Sequence, residues 1–118
     1  MKNIYKILLV AVAFLAISNV QAQTQKTVSE EVQVTGVCKM CKERIENAAL
    51  EVKGVKMATW KPSTQKLKVY FNTKKTDLVK IQEGIAKVGH DTEAVKAKDE
   101  DYKQLPDCCL YRDGVEVH

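Results

Sequence analysis

The sequence predicts an α+β fold of the ferredoxin-like sandwich type, with two helices on one face of a four-stranded antiparallel sheet and a C-terminal tail. Three observations predict it. Some segments alternate apolar with polar residues, and others repeat apolar residues at helical spacing. A third is the order of these segments, β-α-β-β-α-β, with glycines and turn-forming residues between them.

The first strand leads into the first helix through a pair of cysteines. Val28, Val32 and Val34 fall at even spacing, as on a half-buried strand. From Cys41 onward the apolar positions take helical spacing, and Gly54 supplies a C-terminal cap. The inner face of this helix is predicted to carry four residues, Ile45, Ala48, Ala49 and Val52.

A hairpin, a second helix and a last strand are predicted to follow. Residues 55–60 and 67–71 alternate as the two strands of the hairpin, and 61–64 carry turn chemistry. Thr76 or Asp77 can cap the second helix, whose predicted inner stripe is Leu78, Ile81, Ile85 and Val88. Gly89 ends this helix, and residues 90–95 are long enough for a fourth strand.

Residues 1–22 have the pattern of a secretory signal peptide. Lys2 and Lys6 precede the apolar run 7–17, and Val20 and Ala22 are placed as a signal peptidase requires. The run is too short to span a hydrocarbon core of ~30 Å. We therefore expect cleavage after Ala22 and a periplasmic mature chain that does not span the membrane, with an uncleaved anchor as the alternative. The domain then covers residues 23–97 and the cysteine-containing tail 98–118.

Composition excludes some functions without naming a partner. The net charge is +4 at pH 7, two of the lysines lie in the signal segment, and aromatic residues make up 6% of the chain. This is not the footprint of a protein that binds nucleic acid. The sequence offers no catalytic acid–base pair and no phosphate-binding loop, so we do not expect an enzyme.

Cys38 and Cys41 are two thiols at a strand-to-helix turn, where both can reach one ion. Cys41 falls in the first helical turn, where unpaired amides and the helix dipole favour a thiolate. Thiolates select soft ions over magnesium or calcium. Two ligands fall short of the four of a structural zinc site, whereas they suit copper(I) or mercury(II). The open two-ligand site predicts a carrier of copper(I) or mercury(II), and silver, zinc and cadmium are other soft ions that it could take; copper(I) is the ion we expect.

Two alternatives use the same cysteines without a metal. A thioredoxin-like dithiol also follows a strand and opens a helix, but the short chain, the predicted hairpin and the lack of Trp or Pro beside the motif count against a redox protein. An inert disulfide is the other alternative, because exported cysteines can oxidise. So small a closed loop would stabilise the fold only weakly.

Residues 28–97 resemble the heavy-metal-associated domain, the family of copper chaperones, copper-ATPase modules and a periplasmic mercury-binding protein. The resemblance rests on Cys38-Lys39-Met40-Cys41, Arg44-Ile45-Glu46, Gly54-Val55, Ala58 and Gly89-His90-Asp91. It implies copper(I) or another soft metal on the two thiols, passed by ligand exchange to a metal-transporting ATPase, an efflux component or a metalloprotein. A mercury(II) scavenger is the alternative. We expect a monomer, with a metal-bridged dimer as the other arrangement.

Two positions depart from the family pattern. Members usually carry Met two residues before the first Cys, where this chain has Gly36, so the buried anchor of the loop is missing and Met40 is the candidate to replace it. The corner after Gly89 often holds Tyr or Lys, whereas this chain has His90. Because that corner lies beside the metal loop in the family fold, His90 is a candidate third ligand or proton-sensitive lid, with an exposed loop histidine as the alternative.

Cys108 and Cys109 lie in the tail, outside the family domain. The expected topology sends the tail away from the metal loop, but residues 97–108 can span up to ~37 Å when extended and could return. Three roles stay open: metal binding, at a second site or shared with Cys38 and Cys41, disulfide formation, or packing. The tail is expected to dock on the sheet through Tyr102, Leu105 and Leu110.

Overall fold

A computed structural model describes residues 26–114, so the predicted signal segment 1–22 lies outside the described residues. The elements are Thr27–Gln33 (β1), Lys39–Glu51 (α1), Val55–Lys61 (β2), Lys66–Asn72 (β3), Leu78–Ala86 (α2) and Asp99–Tyr102 (α3). Two short 3₁₀ turns follow, at Asp107–Cys109 and Tyr111–Asp113. No helix in the described part of the chain is long and apolar enough to cross a membrane.

The sheet is antiparallel with the strand order β1-β3-β2. Val32 on β1 pairs with Leu67 on the central strand, and Ala58 on β2 pairs with Val69. Alternate residues of β3, namely Leu67, Val69 and Phe71, are buried. The predicted hairpin and the inward face of its second strand are therefore confirmed.

The helices bury the apolar stripes that their spacing predicts. α1 buries Ile45, Ala48 and Ala49, and α2 buries Ile81 and Ile85. Asp77 caps α2, because its carboxylate accepts a hydrogen bond from the Lys80 amide at 2.9 Å. The outer members of each predicted stripe are only partly buried: Val52, Leu78 and Val88.

The fourth strand predicted at residues 90–95 is wrong. Among the described residues the sheet has three strands, and this segment contributes only an isolated bridge between Thr92 and Val34. Two hydrogen bonds flank the bridge and hold the segment against the free edge of β1. The rest of the predicted arrangement is present, with the last strand reduced to one residue pair.

The strand cannot continue because side chains have taken its backbone amides. The Thr92 hydroxyl donates to the carbonyl of Val95 and accepts from the Val95 amide, which turns the chain. The Ala94 amide donates to the Gln82 side chain at 2.8 Å. Period-two spacing alone does not reveal such local competition for amides.

The tail packs onto the domain. Tyr102, Leu105 and Cys109 are buried in the same hydrophobic cluster as the sheet and both long helices, and Leu110 packs against it. Leu105 lies against Gly89, where a Cβ would be only 2.9 Å from the Leu105 Cγ. The packing is continuous across residue 97, and the domain boundary predicted there remains a prediction.

Candidate metal centre

The loop between β1 and α1 holds Cys38 and Cys41 close together. Cys38 is the N-cap residue of α1, with an extended backbone, and its carbonyl accepts the amide of Lys42 at 3.0 Å. Cys41 lies in the first turn and is fully buried, and Cys38 is 5% exposed. Their Sγ atoms are 3.5 Å apart. Strand-to-helix geometry therefore brings the two predicted ligands together.

The two tail cysteines reach the same place. Cys38 Sγ lies 3.6 Å from Cys108 Sγ and 3.6 Å from Cys109 Sγ, and the two tail sulfurs are 3.9 Å apart. These three atoms lie within 4.8 Å of one another, close enough to share a metal ion. The tail, expected to leave on the far side, thus returns to the loop. We call Cys38, Cys41, Cys108 and Cys109 the thiol cluster.

Negative charge in the cluster concentrates on Cys38. Burial raises the pKa of Cys38, but hydrogen bonding to the Cys41 backbone amide and to the thiols of Cys41, Cys109 and Cys108 outweighs it and lowers this pKa to about 7. Burial and hydrogen bonding with Cys41 and Cys38 raise the pKa of Cys109. Hydrogen bonding with Cys38, followed by burial, raises the pKa of Cys108. Near neutral pH Cys38 is therefore available as a thiolate.

Trp60 anchors the loop where the family usually has Met. Its indole is fully buried, and Nε1 donates to the carbonyl of Val34 at 2.9 Å. A Cβ on Gly36 would lie 2.9 Å from Trp60 Cη2 and 3.2 Å from Cys41 Cβ, so glycine is needed for this close approach. Met40, the candidate from the sequence, is 53% exposed and does not take this role. The sequence could have indicated this role, because Trp60 is the lone Trp of the chain and its side chain needs a large space at an inward strand position.

Met40 instead borders the thiol cluster. Its Sδ lies 3.5 Å from Cys108 Sγ at the exposed side of the group. A thioether is a soft donor like a thiolate. Five sulfur atoms therefore lie together at this end of α1.

His90 is fully buried, so the exposed-loop alternative is wrong. Its Nδ1 lies 2.9 Å from the carbonyl of Thr35, which can only accept, so Nδ1 carries the proton. Nε2 is buried without a hydrogen-bond partner. Burial lowers the pKa of His90, and the ring stacks on Tyr111. The close sulfur group does not include His90, and its role as a ligand stays a prediction.

Two tail residues that the sequence did not single out fix the tail in place. The Tyr111 hydroxyl donates to the carbonyl of Gly89 at 2.7 Å and accepts from the amide of Asp91 at 2.8 Å. Arg112 pairs with the carboxylates of Asp91 at 2.7 Å and Asp99 at 3.1 Å. We call Tyr111 and Arg112 the clamp. A Tyr-Arg pair in a charged tail belongs to no recognisable sequence motif, so its role is visible only in the fold.

Comparison with known proteins places the domain. The family model described as heavy-metal-associated domain matches residues 31–91. No curated protein sequence matches the chain with significance. Oxidised MerP from Ralstonia metallidurans CH34 is 25% identical, with 57% of this chain and 94% of that chain covered and a TM-score of 0.54. A copper binding domain from HMA7, a P-type ATPase, is 29% identical, with 55% and 89% covered and a TM-score of 0.54.

A third solved structure is similar to the same part of the chain. It is the Cu(I)-loaded N-terminal domain of a potential copper-translocating P-type ATPase from Bacillus subtilis, 25% identical, with 56% and 84% covered and a TM-score of 0.53. The family match includes Cys38 and Cys41, ends at Asp91 before the tail, and covers more than half of the chain. With its βαββα core and its paired thiols at the start of α1, the chain belongs to the heavy-metal-associated domain family.

Proposed function

We propose that the protein is an exported carrier of one soft metal ion, copper(I) by preference, which Cys38 and Cys41 bind and hand on by ligand exchange. The observation that carries the proposal is the approach of these two thiols to 3.5 Å at the start of α1, inside the family's matched region. Metal binding is the family's common property. The choice of ion and the transfer step are the proposal.

Donor chemistry supports copper(I). The group of closely spaced ligands in residues 26–114 consists of sulfur alone, without the carboxylates that hard ions prefer. The solved structures that resemble the domain include a copper binding domain and a Cu(I)-loaded one. Mercury(II) scavenging is the second candidate function, favoured by the likeness to MerP and by the same pair of thiols.

Cys38 is suited to bind the incoming metal ion first. Its lowered pKa of about 7 keeps much of it as thiolate near neutral pH, ready to bind without a strong base. Lys42 follows Cys41 in the sequence, but its ammonium group is paired elsewhere. Its Nζ donates to the Glu46 carboxylate at 2.6 Å and to the Trp60 carbonyl at 2.8 Å. In transfer, a thiolate of the recipient forms a metal–sulfur bond as one from the loop breaks, and the released sulfur takes a proton from water. An ATPase, an efflux component or a metalloprotein could be that recipient.

Competition with a copper(I) chelator tests the assignment. In the reduced protein, Cys38→Ser, Cys41→Ser and their combination should lower copper(I) affinity by orders of magnitude, because each removes a soft ligand. Met57→Leu is the matched control, since it removes an exposed methionine on β2 and leaves Met40 and all four thiols. Wild-type affinity in the double serine variant would exclude these residues as the site.

Catalysis and export have their own tests. A carrier should not reduce insulin disulfides faster than free thiols do, whereas turnover at thioredoxin-like rates would favour the redox alternative.

Export predicts a periplasmic chain that begins at Gln23, detectable by mass spectrometry. A chain in the membrane fraction that retains Met1 would favour the anchored form.

A further inference from the structure

The sulfur–sulfur distances in the thiol cluster suit an ion with more than two ligands. With metal–sulfur bonds of about 2.3 Å, two sulfurs lie about 4.6 Å apart around a linear ion, about 4.0 Å around a trigonal one and about 3.8 Å around a tetrahedral one. The triangle of Cys38, Cys108 and Cys109 has edges of 3.6, 3.6 and 3.9 Å. It needs to widen by only a few tenths of an ångström to hold a three-coordinate ion.

The loop pair alone fits two-coordinate binding less well. Cys38 and Cys41 must separate from 3.5 Å by about 1 Å to flank a linear ion. Cys41 is fully buried in the first turn of α1, where Trp60 and Gly36 leave little room for that movement. The 3.5 Å separation is close to an edge of a tetrahedral site, but Cys41 lies outside the group of sulfurs that are all within 4.8 Å of one another, so a fourth ligand at Cys41 requires a shift.

The tail is built to hold its thiols at this place. Cys109 is fully buried in the core, and Cys108 is partly exposed beside it. Tyr111 and Arg112 follow after Leu110 and bind the Gly89–Asp91 corner through the hydrogen bonds and the ion pair described above. Thiols fixed on one side by the core and on the other by this clamp are pre-organised, which lowers the entropic cost of metal binding.

We propose that Cys108 and Cys109 are ligands of the ion that the loop binds, so that the tail closes a site of three or four thiolates with Cys38 as the shared ligand. The inference rests on the proposed function, since it concerns the same ion. Each thiol that joins gives its proton to water as its sulfur–metal bond forms, and no electron is transferred. Cys108 lies at the exposed side, so it is the ligand that an incoming thiolate displaces first.

The closed site makes the protein release its metal ion more slowly than the loop thiols alone would. An external thiol must first break a tail–metal bond before it reaches the loop. The tail therefore slows the loss of metal to a competing dithiol, and a recipient must displace Cys108 to obtain the ion. With all four thiolates bound, the ligand number would equal that of a structural zinc site.

X-ray absorption on the copper(I)-loaded full-length chain tests the inference. Wild type should show three or four sulfur neighbours around copper, and Cys108→Ser combined with Cys109→Ser should show two. Copper removal by excess dithiothreitol should be at least tenfold faster in the double variant. Met57→Leu, which removes an exposed methionine on β2 and keeps Met40 and all four thiols, should retain the wild-type sulfur number and rate.

The outcomes separate this inference from the proposed function. Equal sulfur counts and equal removal rates in wild type and tail variant would overturn the inference and leave the tail thiols as packing residues. A Cys108 or Cys109 disulfide that persists in the copper-loaded protein would also overturn it. Failure of both proteins to bind copper would instead refute the proposed function. If the double variant unfolds, the single Cys108→Ser change at the exposed thiol should still remove one sulfur neighbour.

Discussion

The loop and the tail deliver their cysteines to one point by different physical means. In the loop, backbone geometry is sufficient: β1 ends, Cys38 caps α1, and Cys41 follows within the first turn. In the tail, the 3₁₀ turn Asp107–Cys109 has little structure of its own and depends on contacts distant in sequence. The Tyr111 hydroxyl, for example, binds Gly89 across 22 positions.

This difference predicts how each region fails. A change in the loop must disturb the packing of α1 on the sheet, so it affects the stability of the whole domain. A change in the tail contacts should release Cys108 and Cys109, and it should lower the stability of the domain by the packing that the tail contributes to the core. Thiol accessibility, measured by alkylation and mass spectrometry, distinguishes the two kinds of failure.

The largest effect is expected at Gly89, where the tail meets the domain. Its φ is +103°, and a Cβ would lie 2.9 Å from the carbonyl oxygen of Asp101 and 2.9 Å from Leu105 Cγ. Gly89→Ala should lower the free energy of unfolding by roughly 3 kcal/mol, from backbone strain and overpacking together. It should also expose Cys109 to iodoacetamide. Urea unfolding and alkylation rates give both quantities.

Gly114→Ala is the matched control for that change. Gly114 also has a positive φ, +83°, but nothing lies within 4 Å of its Cβ position. It should lose only the strain, about 1 kcal/mol, and leave Cys109 protected. Equal effects at both glycines would mean that the tail does not pack against Gly89.

The loop has its own close approach at Gly36, and its effect should be somewhat smaller. Gly36→Ala pushes a methyl group against Trp60 Cη2 at 2.9 Å, and the indole is held by its hydrogen bond to Val34. The expected loss is about 2 kcal/mol of unfolding free energy. Combining it with Trp60→Phe, which removes the two indole carbons nearest to the new methyl group, should make the pair less harmful than the sum of the two changes. Additive losses in urea unfolding would show that the two residues do not meet.

Sequence periodicity was sufficient for the loop side of this comparison. Apolar spacing placed Ile45, Ile81 and Ile85 inward, and a cysteine motif at a strand-to-helix turn located the two loop thiols. These features depend on neighbours within a few residues, so one sequence shows them. The fourth strand failed because the Thr92 hydroxyl and the Gln82 side chain take amides that a ladder needs, and apolar spacing reports neither hydrogen bond.

The tail side could not be predicted, because its geometry depends on single long-range contacts. The extended length of 97–108 allowed a return to the loop but did not require it. The position of Cys108 and Cys109 follows from Tyr111 and Arg112, and neither belongs to a recognisable motif. The Gly36 departure similarly looked like a missing anchor until the fold placed Trp60 against it.

Removing the charge of Arg112 should loosen the tail with a modest cost in stability. Its guanidinium pairs with Asp91 and Asp99 and lies 4.5 Å from the centre of the Tyr102 ring. Since the pairs are partly exposed, Arg112→Gln should cost about 1 kcal/mol, but it should speed Cys109 alkylation several-fold. Lys42→Gln removes a comparable pair with Glu46 on the loop side and should leave that rate unchanged. Equal alkylation in both variants would show that the clamp does not hold the tail.

The same ion pair sets the acid limit of tail docking. Burial raises the pKa of Asp91, but hydrogen bonds from Arg112 and the Ala97 amide outweigh it and hold this pKa below its ordinary value of 3.8. The stabilisation is therefore present above pH 3.8 and lost as the pH falls through the lowered pKa. Hydrogen exchange of the tail amides should therefore stay slow in wild type at pH 5. Release of the tail above pH 5 would contradict this assignment.

His90 joins the two regions, and its titration should give the smallest effect. Nδ1 donates to Thr35 just before the loop, and the ring stacks on Tyr111 of the tail with centroids 5.7 Å apart. Burial lowers the pKa of His90 below 6.5, helped by the charge of Arg44, although the Thr35 carbonyl and Asp91 oppose it. The unfolded chain therefore takes up a proton that the folded chain refuses, and stability decreases as the pH falls below 6.5, by at most about 1 kcal/mol at pH 6. Imidazole NMR should show one ring that stays neutral with its proton on Nδ1, and His90→Gln should remove that signal and the stability change between pH 7 and pH 6. A midpoint at or above 6.5 would mean that this ring is open to water and that the loop and the tail do not enclose it.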